Sequence, residues 1–375
     1  MELETKYKPP FDLAEIAKRE SFLVDLWKGQ PSEKVAFQIV VEANRKLPYS
    51  LKQIEENPHL YLAIQQEQHK ARLFYDDYSI PVIIPFPSVL VIATAFGCKI
   101  NWEDDDTPPN TESVISTAKE VGKLKLPTLE SGLVPVALSG VEYMANCVGD
   151  TCPIRIINHQ GPFTNAVYLV GYEQLMMDLF DCPDSVHRLL EMITEFMIKF
   201  IKEQQKRAPR FVPAMIYPDW MPQDWGISIA DDFLAVLSPQ FYEEFSLKYN
   251  NILSEEFNGL HIHSCGDFQR NYKTLLKTKK LRGVNFEASD NNLEMLFELM
   301  PENVVLAPHA GIHAKEVFGG ALNYVKKLLE YKRPTTRLHI TIEGTLQDLS
   351  NADVISDGNE LSEIVQILKN YNSRV

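Results

Sequence analysis

From about residue 80 the chain alternates between short apolar runs of strand length and longer amphipathic stretches. The strand-length runs are IPVIIPF (80–86), IRIINHQ (154–160), FVPAMIY (211–217), LHIHSC (260–265), GVNFEA (283–288), VVLAPH (304–309) and LHITIE (338–343). Helical spacing is met at 131–146, 171–207 with a break near Pro183, 231–257, 291–299, 315–331 and 359–371. Continuous apolar strands alternating with helices predict a parallel sheet covered by helices. Seven or eight such units, with no glycine-rich phosphate turn after the first strand, predict a single (β/α)8 barrel rather than a doubly wound sheet. The earlier residues read differently. Phe11 to Gly29 carries Leu13, Ile16, Phe22, Leu23 and Leu26 at helical spacing, and a second helical stretch runs from Leu51 to Tyr75, interrupted near Pro58. Val35 to Val41, between them, suits a strand or a helix equally. The expected organisation is an N-terminal helical extension over 1–75, capping or flanking a barrel over 76–375. No internal repeat or long linker divides the chain.

Composition narrows the partners. The 375 residues are 45% hydrophobic and 23% charged, ordinary for a chain with a large core, and the net charge is −14. Nucleic acid and anionic membrane surfaces need a basic footprint, so neither is the expected partner. The apolar stretch Ile80 to Ala95 is broken by prolines and too short to span a bilayer. MELETKYKPP lacks the apolar core of a signal peptide, and the five scattered cysteines fit a reduced compartment, so a cytoplasmic location is expected.

Barrel enzymes keep their chemistry at the carboxyl ends of the strands. The polar residues ending the apolar runs are His159 and Gln160, Tyr217, Asp219 and Trp220, then His261, His263 and Cys265, Glu287, His309 and Glu343. His261, His263 and Cys265 lie two apart, so a strand places all three on one face. An imidazole and a thiolate so spaced can share a zinc ion at roughly 2.0–2.3 Å per ligand, although a third protein ligand is needed. The plainer alternative is a core histidine beside a buried cysteine that behaves as a small hydrophobe. His309 and Glu287 are candidates for acid–base work. Asp231-Asp232 is read as a general acid, a substrate clamp or a helix-capping pair. Tyr217, Asp219 and Trp220 are expected to line the pocket, with Trp220 stacking on a flat substrate. His159 and Gln160 are expected at its mouth. His313 is read as a loop residue, Cys147 and Cys152 as ordinary buried thiols, and Glu103 to Asp106 as a solvated loop.

Three collinear blocks carry a resemblance. GPFTNAVYLVGYEQLMMDLFDCPDSVHRLLEMI (161–193), ADDFLAVLSPQFYEEF (230–245) and LHIHSCGD (260–267) together resemble the uroporphyrinogen decarboxylase superfamily, from about residue 75 to the C-terminus. The resemblance implies a TIM barrel with its pocket at the strand carboxyl ends. True decarboxylases carry an N-terminal Arg-Gln-Ala-Gly-Arg segment for the substrate's carboxylates. The basic residues here, Arg45, Lys46, Lys52, Lys70 and Arg72, lack that arrangement, so a tetrapyrrole decarboxylase is the second reading. The first is the methyltransferase branch, whose zinc is held by His-x-Cys and a distant cysteine in the last strand. His263 and Cys265 match the pair, no cysteine follows Cys265, and Glu343 beside the vacant position stands as the expected third ligand. The implied activity moves a methyl group between a small methylated substrate or thiol and a corrinoid. That corrinoid would sit on a partner protein, since no Asp-x-His-x-x-Gly domain is attached. His261 joins the expected substrate-binding residues. A homodimer is an implied assembly, and a non-catalytic binding barrel a third reading.

Overall fold

The computed structural model describes residues 7, 9, 11–30, 33–42, 49–72, 75–310, 314–345 and 360–375. Eight strands are labelled here: β1 Val35–Glu42, β2 Ile154–Arg155, β3 Phe211–Val212, β4 Ile227–Ala230, β5 Leu260–Ser264, β6 Leu281–Glu287, β7 Val305–Ala310 and β8 Arg337–Thr345. Six form one parallel sheet in the order β1-β8-β7-β6-β5-β4. Shorter contacts complete the ring. Tyr78 N donates to Phe37 O of β1 at 2.9 Å, Ile83 bridges Ile154, β2 pairs with β3, and Ser228 N of β4 donates to Pro213 O at 2.8 Å. The result is a (β/α)8 barrel, as the alternation predicted.

The departures have backbone reasons. In IPVIIPF, Pro81 and Pro85 carry no N–H, so pairing shrinks to the single bridge at Ile83. Pro213 likewise stops FVPAMIY after two paired residues. The run ISIA (227–230) was not among the predicted strands, yet it is β4, fully buried. Val35–Glu42 is a strand paired with β8, so the boundary expected at residue 75 cuts through the barrel. The helix expected over 231–257 is divided into Phe233–Val236, Pro239–Phe241, a π-helical turn Tyr242–Leu247 and Lys248–Glu256.

Alternation along the strands separates two cores. Val35, Phe37 and Ile39 of β1, Ile262 of β5 and Val284 of β6 pack under the helices. Ala36 and Val305 face the other way, into the barrel, where they meet Val212, Ala214, Trp220 and Met221. Helix Leu13–Lys28 closes this end of the barrel with Ile16, Leu23, Leu26 and Trp27. Its last carbonyls have no partner within the helix. The buried Arg337 guanidinium donates to Leu26 O at 2.9 Å and Trp27 O at 2.8 Å, and also to Gly29 O. Among the described residues no helix is long and apolar enough to cross a membrane.

Candidate metal centre

Two neighbouring strands build the site. β4 and β5 run side by side, and past the end of their ladder Asp231 N still donates to His263 O at 2.8 Å. This places the next residue, Asp232, against the end of β5, where its Oδ1 accepts from Cys265 N at 2.9 Å. His263 Nε2 lies 3.3 Å from Cys265 Sγ and 3.9 Å from Asp232 Oδ1. One ligand atom from each of the three residues falls within 4.8 Å of the others. Donors on a tetrahedral zinc at 2.0–2.3 Å stand roughly 3.3–3.8 Å apart, so the trio fits such an ion with little movement.

The adjacent Asp231 has a different task. Fully enclosed, its Oδ2 accepts from Tyr242 Oη at 3.0 Å, Ser246 Oγ at 2.7 Å and Asn250 Nδ2 at 2.6 Å. It ties the π turn and its helix to the barrel, and burial raises its carboxyl above the usual range.

Hydrogen bonding also decides which imidazole nitrogen is free. Asn285 Nδ2 donates to Ala307 O at 2.5 Å, which makes the amide oxygen the group facing His263. Asn285 Oδ1 sits 2.5 Å from His263 Nδ1 and accepts its proton, leaving the Nε2 lone pair towards Cys265 and Asp232. Burial lowers the His263 pKa, partly offset by Asp232 and Asn285, so the ring is in its neutral, ligating form. The Cys265 thiol is pushed up to about 12, by burial first and then by Asp232, Glu287 and Asp290. Carboxylates that oppose a thiolate favour a cation in the same place, and a bound metal replaces the thiol proton. The donor set and its surroundings therefore suit a divalent metal.

A second pair stands beside the first. His309 Nδ1 lies 3.2 Å from Asn285 Nδ2, and Nε2 lies 3.7 Å from Glu287 Oε2. Glu287 Oε1 accepts from Ser289 N at 3.2 Å and Ser289 Oγ at 2.8 Å. The His309 ring is 5.8 Å from that of His263 and 5.5 Å from that of Tyr217. Burial, and then the neighbouring His263, lowers the His309 pKa to about 3.

The sequence profile described as "Uroporphyrinogen decarboxylase (URO-D)" matches residues 33–220, half of the chain. The chain belongs to the uroporphyrinogen decarboxylase family. A family match beginning at residue 33 agrees with β1 as part of the barrel. It ends ahead of Asp232, His263 and Cys265, so it carries the fold and not the metal centre. A methylated-thiol–coenzyme M methyltransferase of Methanosarcina mazei is 25% identical over 199 residues, 52% of this chain and 49% of that protein. Uroporphyrinogen decarboxylases of Anaeromyxobacter dehalogenans (28% over 184 residues; 46% of this chain, 48% of the relative) and Legionella pneumophila (25% over 248; 61% and 63%) are also similar. The chain thus spans less than two thirds of these curated relatives. A solved structure described as a methyltransferase from Methanosarcina mazei superposes with a TM-score of 0.67 at 17% identity, covering 95% of this chain and 98% of that one.

Against this uroporphyrinogen decarboxylase barrel, several expected site residues fall elsewhere. Among the described residues the converging trio is Asp232, His263 and Cys265, and Glu343 is not part of it. His261 lies deep in the barrel, its Nδ1 2.9 Å from Ser228 Oγ and its ring 5.6 Å from that of Trp27, enclosed rather than facing substrate. Trp220 packs in the floor cluster with Val212 and Met221 instead of stacking at the mouth. Asp219 pairs with Arg155 at 2.9 Å. His159 is wholly buried, with Nδ1 2.8 Å from Gln160 O, while Gln160 is half-buried with a left-handed φ of 59°. His313, Arg45 and Lys46 lie outside the described residues. Cys147 and Cys152 are unbridged; Cys152 is buried as expected, whereas Cys147 is only half-buried, and Asp104 to Asp106 are exposed as expected. Asn285 was overlooked. Its signal was its position in GVNFEA, on the same face as Glu287 and in register with His263.

Proposed function

We propose that this chain is a zinc-dependent methyltransferase, moving a methyl group between a small methylated substrate or thiol and a corrinoid held on a separate protein. The observation that carries the reading is the convergence of Asp232, His263 and Cys265 at the mouth of the barrel. The similarity to the methylated-thiol–coenzyme M methyltransferase supports the reaction class, and the similarity to uroporphyrinogen decarboxylases keeps a carboxy-lyase as the alternative. Bound zinc would supply Lewis acidity, favouring the thiolate of a sulfur substrate or the departure of a methylated oxygen, nitrogen or sulfur. Asp232 contributes a harder donor than the cysteine it stands in for, which leaves the site more suited to oxygen-bearing substrates.

The residues around the trio supply positioning and proton handling. Asn285 holds His263 in the ligating tautomer. A thiol entering the site must lose a proton, and in this reading the Glu287 carboxylate takes it. Ser289 fixes one oxygen of Glu287, and His309 lies against the other. Tyr217 borders His309 and forms a wall for a small substrate.

Elemental analysis of protein purified without chelator tests the reading. The expectation is about one zinc per chain, by the single-site stoichiometry of such centres. It should be lost in Asp232→Ala, His263→Ala and Cys265→Ser and retained in Glu343→Gln. No zinc after supplementation removes the metal reading and brings the carboxy-lyase and the non-catalytic barrel forward.

A further inference from the structure

We infer that the barrel interior beneath the metal centre is a binding site for a file of ordered water, running from Trp27 at the floor up to the level of His309. The inference does not rest on the methyl-transfer reading. It rests on polar atoms that are wholly enclosed yet have no hydrogen-bond partner among the described residues: Trp27 Nε1, Gln38 Nε2, His261 Nε2, both ring nitrogens of His339, and Thr341 Oγ1. None of these residues is more than 1% exposed.

They are contiguous. His261 packs edge-on against Trp27 and lies near enough to His339 that protonation of His339 disfavours that of His261. In the register of β1 with β8, Ala36 stands opposite His339 and Gln38 opposite Thr341, all on the inward face. Thr341 in turn stands opposite His309 of β7. The set therefore climbs two rungs of the barrel and ends beside the site.

The chemistry of the set selects the ligand. Gln38 Oε1 accepts from Asp219 N at 3.3 Å, so its Nε2 presents N–H donors, as does the Trp27 indole. Neutral His339 offers one donor and one lone pair, His261 offers Nε2 alone because Nδ1 is held by Ser228, and the Thr341 hydroxyl can donate and accept. An anion would use only the donors and a cation only the lone pairs. Water uses both, and several molecules can pass the pattern along the file. An enclosed polar group without a partner is destabilising, and here six such atoms lie together.

A high-resolution crystal structure of the full chain, with its metal content measured on the same preparation, tests the inference. Water density bonded to at least half of these atoms supports it. A dry interior, or side chains turned to satisfy one another, overturns it. Thr341→Val gives an independent sign. If Oγ1 binds water, the substitution lowers Tm by about 1–3 °C. If Oγ1 is unpaired, removing it raises Tm, and that result refutes the file. Zinc content should be unchanged in Thr341→Val either way, which separates this test from that of the metal centre.

Discussion

Replacing Asn285 by alanine should weaken the metal centre without touching a ligand. The carboxamide makes three contacts: it accepts from His263 Nδ1 at 2.5 Å, donates to Ala307 O at 2.5 Å and faces His309 Nδ1 at 3.2 Å. Truncation frees the His263 ring to turn and to exchange tautomers, so the Nε2 lone pair is no longer held towards Cys265 and Asp232. Loss of such an orienting partner costs about 10–100-fold in metal affinity, or about 1.4–2.7 kcal/mol. The buried Ala307 carbonyl also loses its donor, so the metal-free protein should lose about 1–3 kcal/mol. Competition against a chromophoric chelator gives the affinity, and urea unfolding of the metal-free form gives the stability. Asn285→Asp separates the two effects. It keeps an acceptor for Nδ1–H, so affinity should stay near wild type, while the lost donor still lowers stability. A folded Asn285→Ala protein with zinc affinity within about twofold of wild type would refute the assignment of Asn285 as the residue that orients His263.

Three further outcomes are expected. The adjacent acids should differ sharply. Asp231→Ala strands three enclosed donors and should cost about 3–5 kcal/mol in urea unfolding, whereas Asp232→Ala should lose the metal with little change in metal-free stability. Arg337→Met, which uncaps the floor helix, should cost about 3 kcal/mol or more, read in the same assay. His339 is enclosed, and burial lowers its pKa from the ordinary 6.5 to about 3. The unfolded chain therefore binds the proton first as pH falls, and stability is lost from about pH 6.5 down to about pH 3. That loss is about 2 kcal/mol at pH 5, and a folded His339→Phe variant should show a correspondingly shallower fall between pH 7 and pH 5.

The readable parts of the chain were those where side-chain pattern and backbone pairing agree. β5, β6 and β7 alternate between helix-facing apolar residues and inward polar ones, and each appeared where the apolar runs placed it. Pairing at 80–86 and 211–217 was overestimated because apolar character persists through prolines that cannot donate to a ladder. Asp232 was the harder residue to place beside His263 and Cys265 for a related reason. The resemblance directed attention to the last strand and Glu343, while ISIA was too short to be noticed. Read as a strand, it would have been the neighbour of LHIHS in a parallel barrel, with Asp232 two residues beyond its end and beside Cys265. Asn285 and Trp220 show the remaining limit. Whether an inward side chain meets the mouth or the floor depends on its rung, and the rung depends on register between strands far apart in sequence.

Ring closure has a consequence for the chain during its synthesis. β1 pairs with β8 from Val35↔Leu338 onward, and Arg337 reaches back across 311 residues to Leu26. At about 5–20 residues per second, a ribosome needs roughly 15–60 s to deliver β8 after β1 has emerged. For that interval β1 is an unpaired edge bearing Val35, Phe37 and Ile39, open to pairing with other nascent chains. The nascent chain should therefore depend on chaperone cover until its last strand arrives, and truncation before residue 337 should yield insoluble protein rather than a smaller domain.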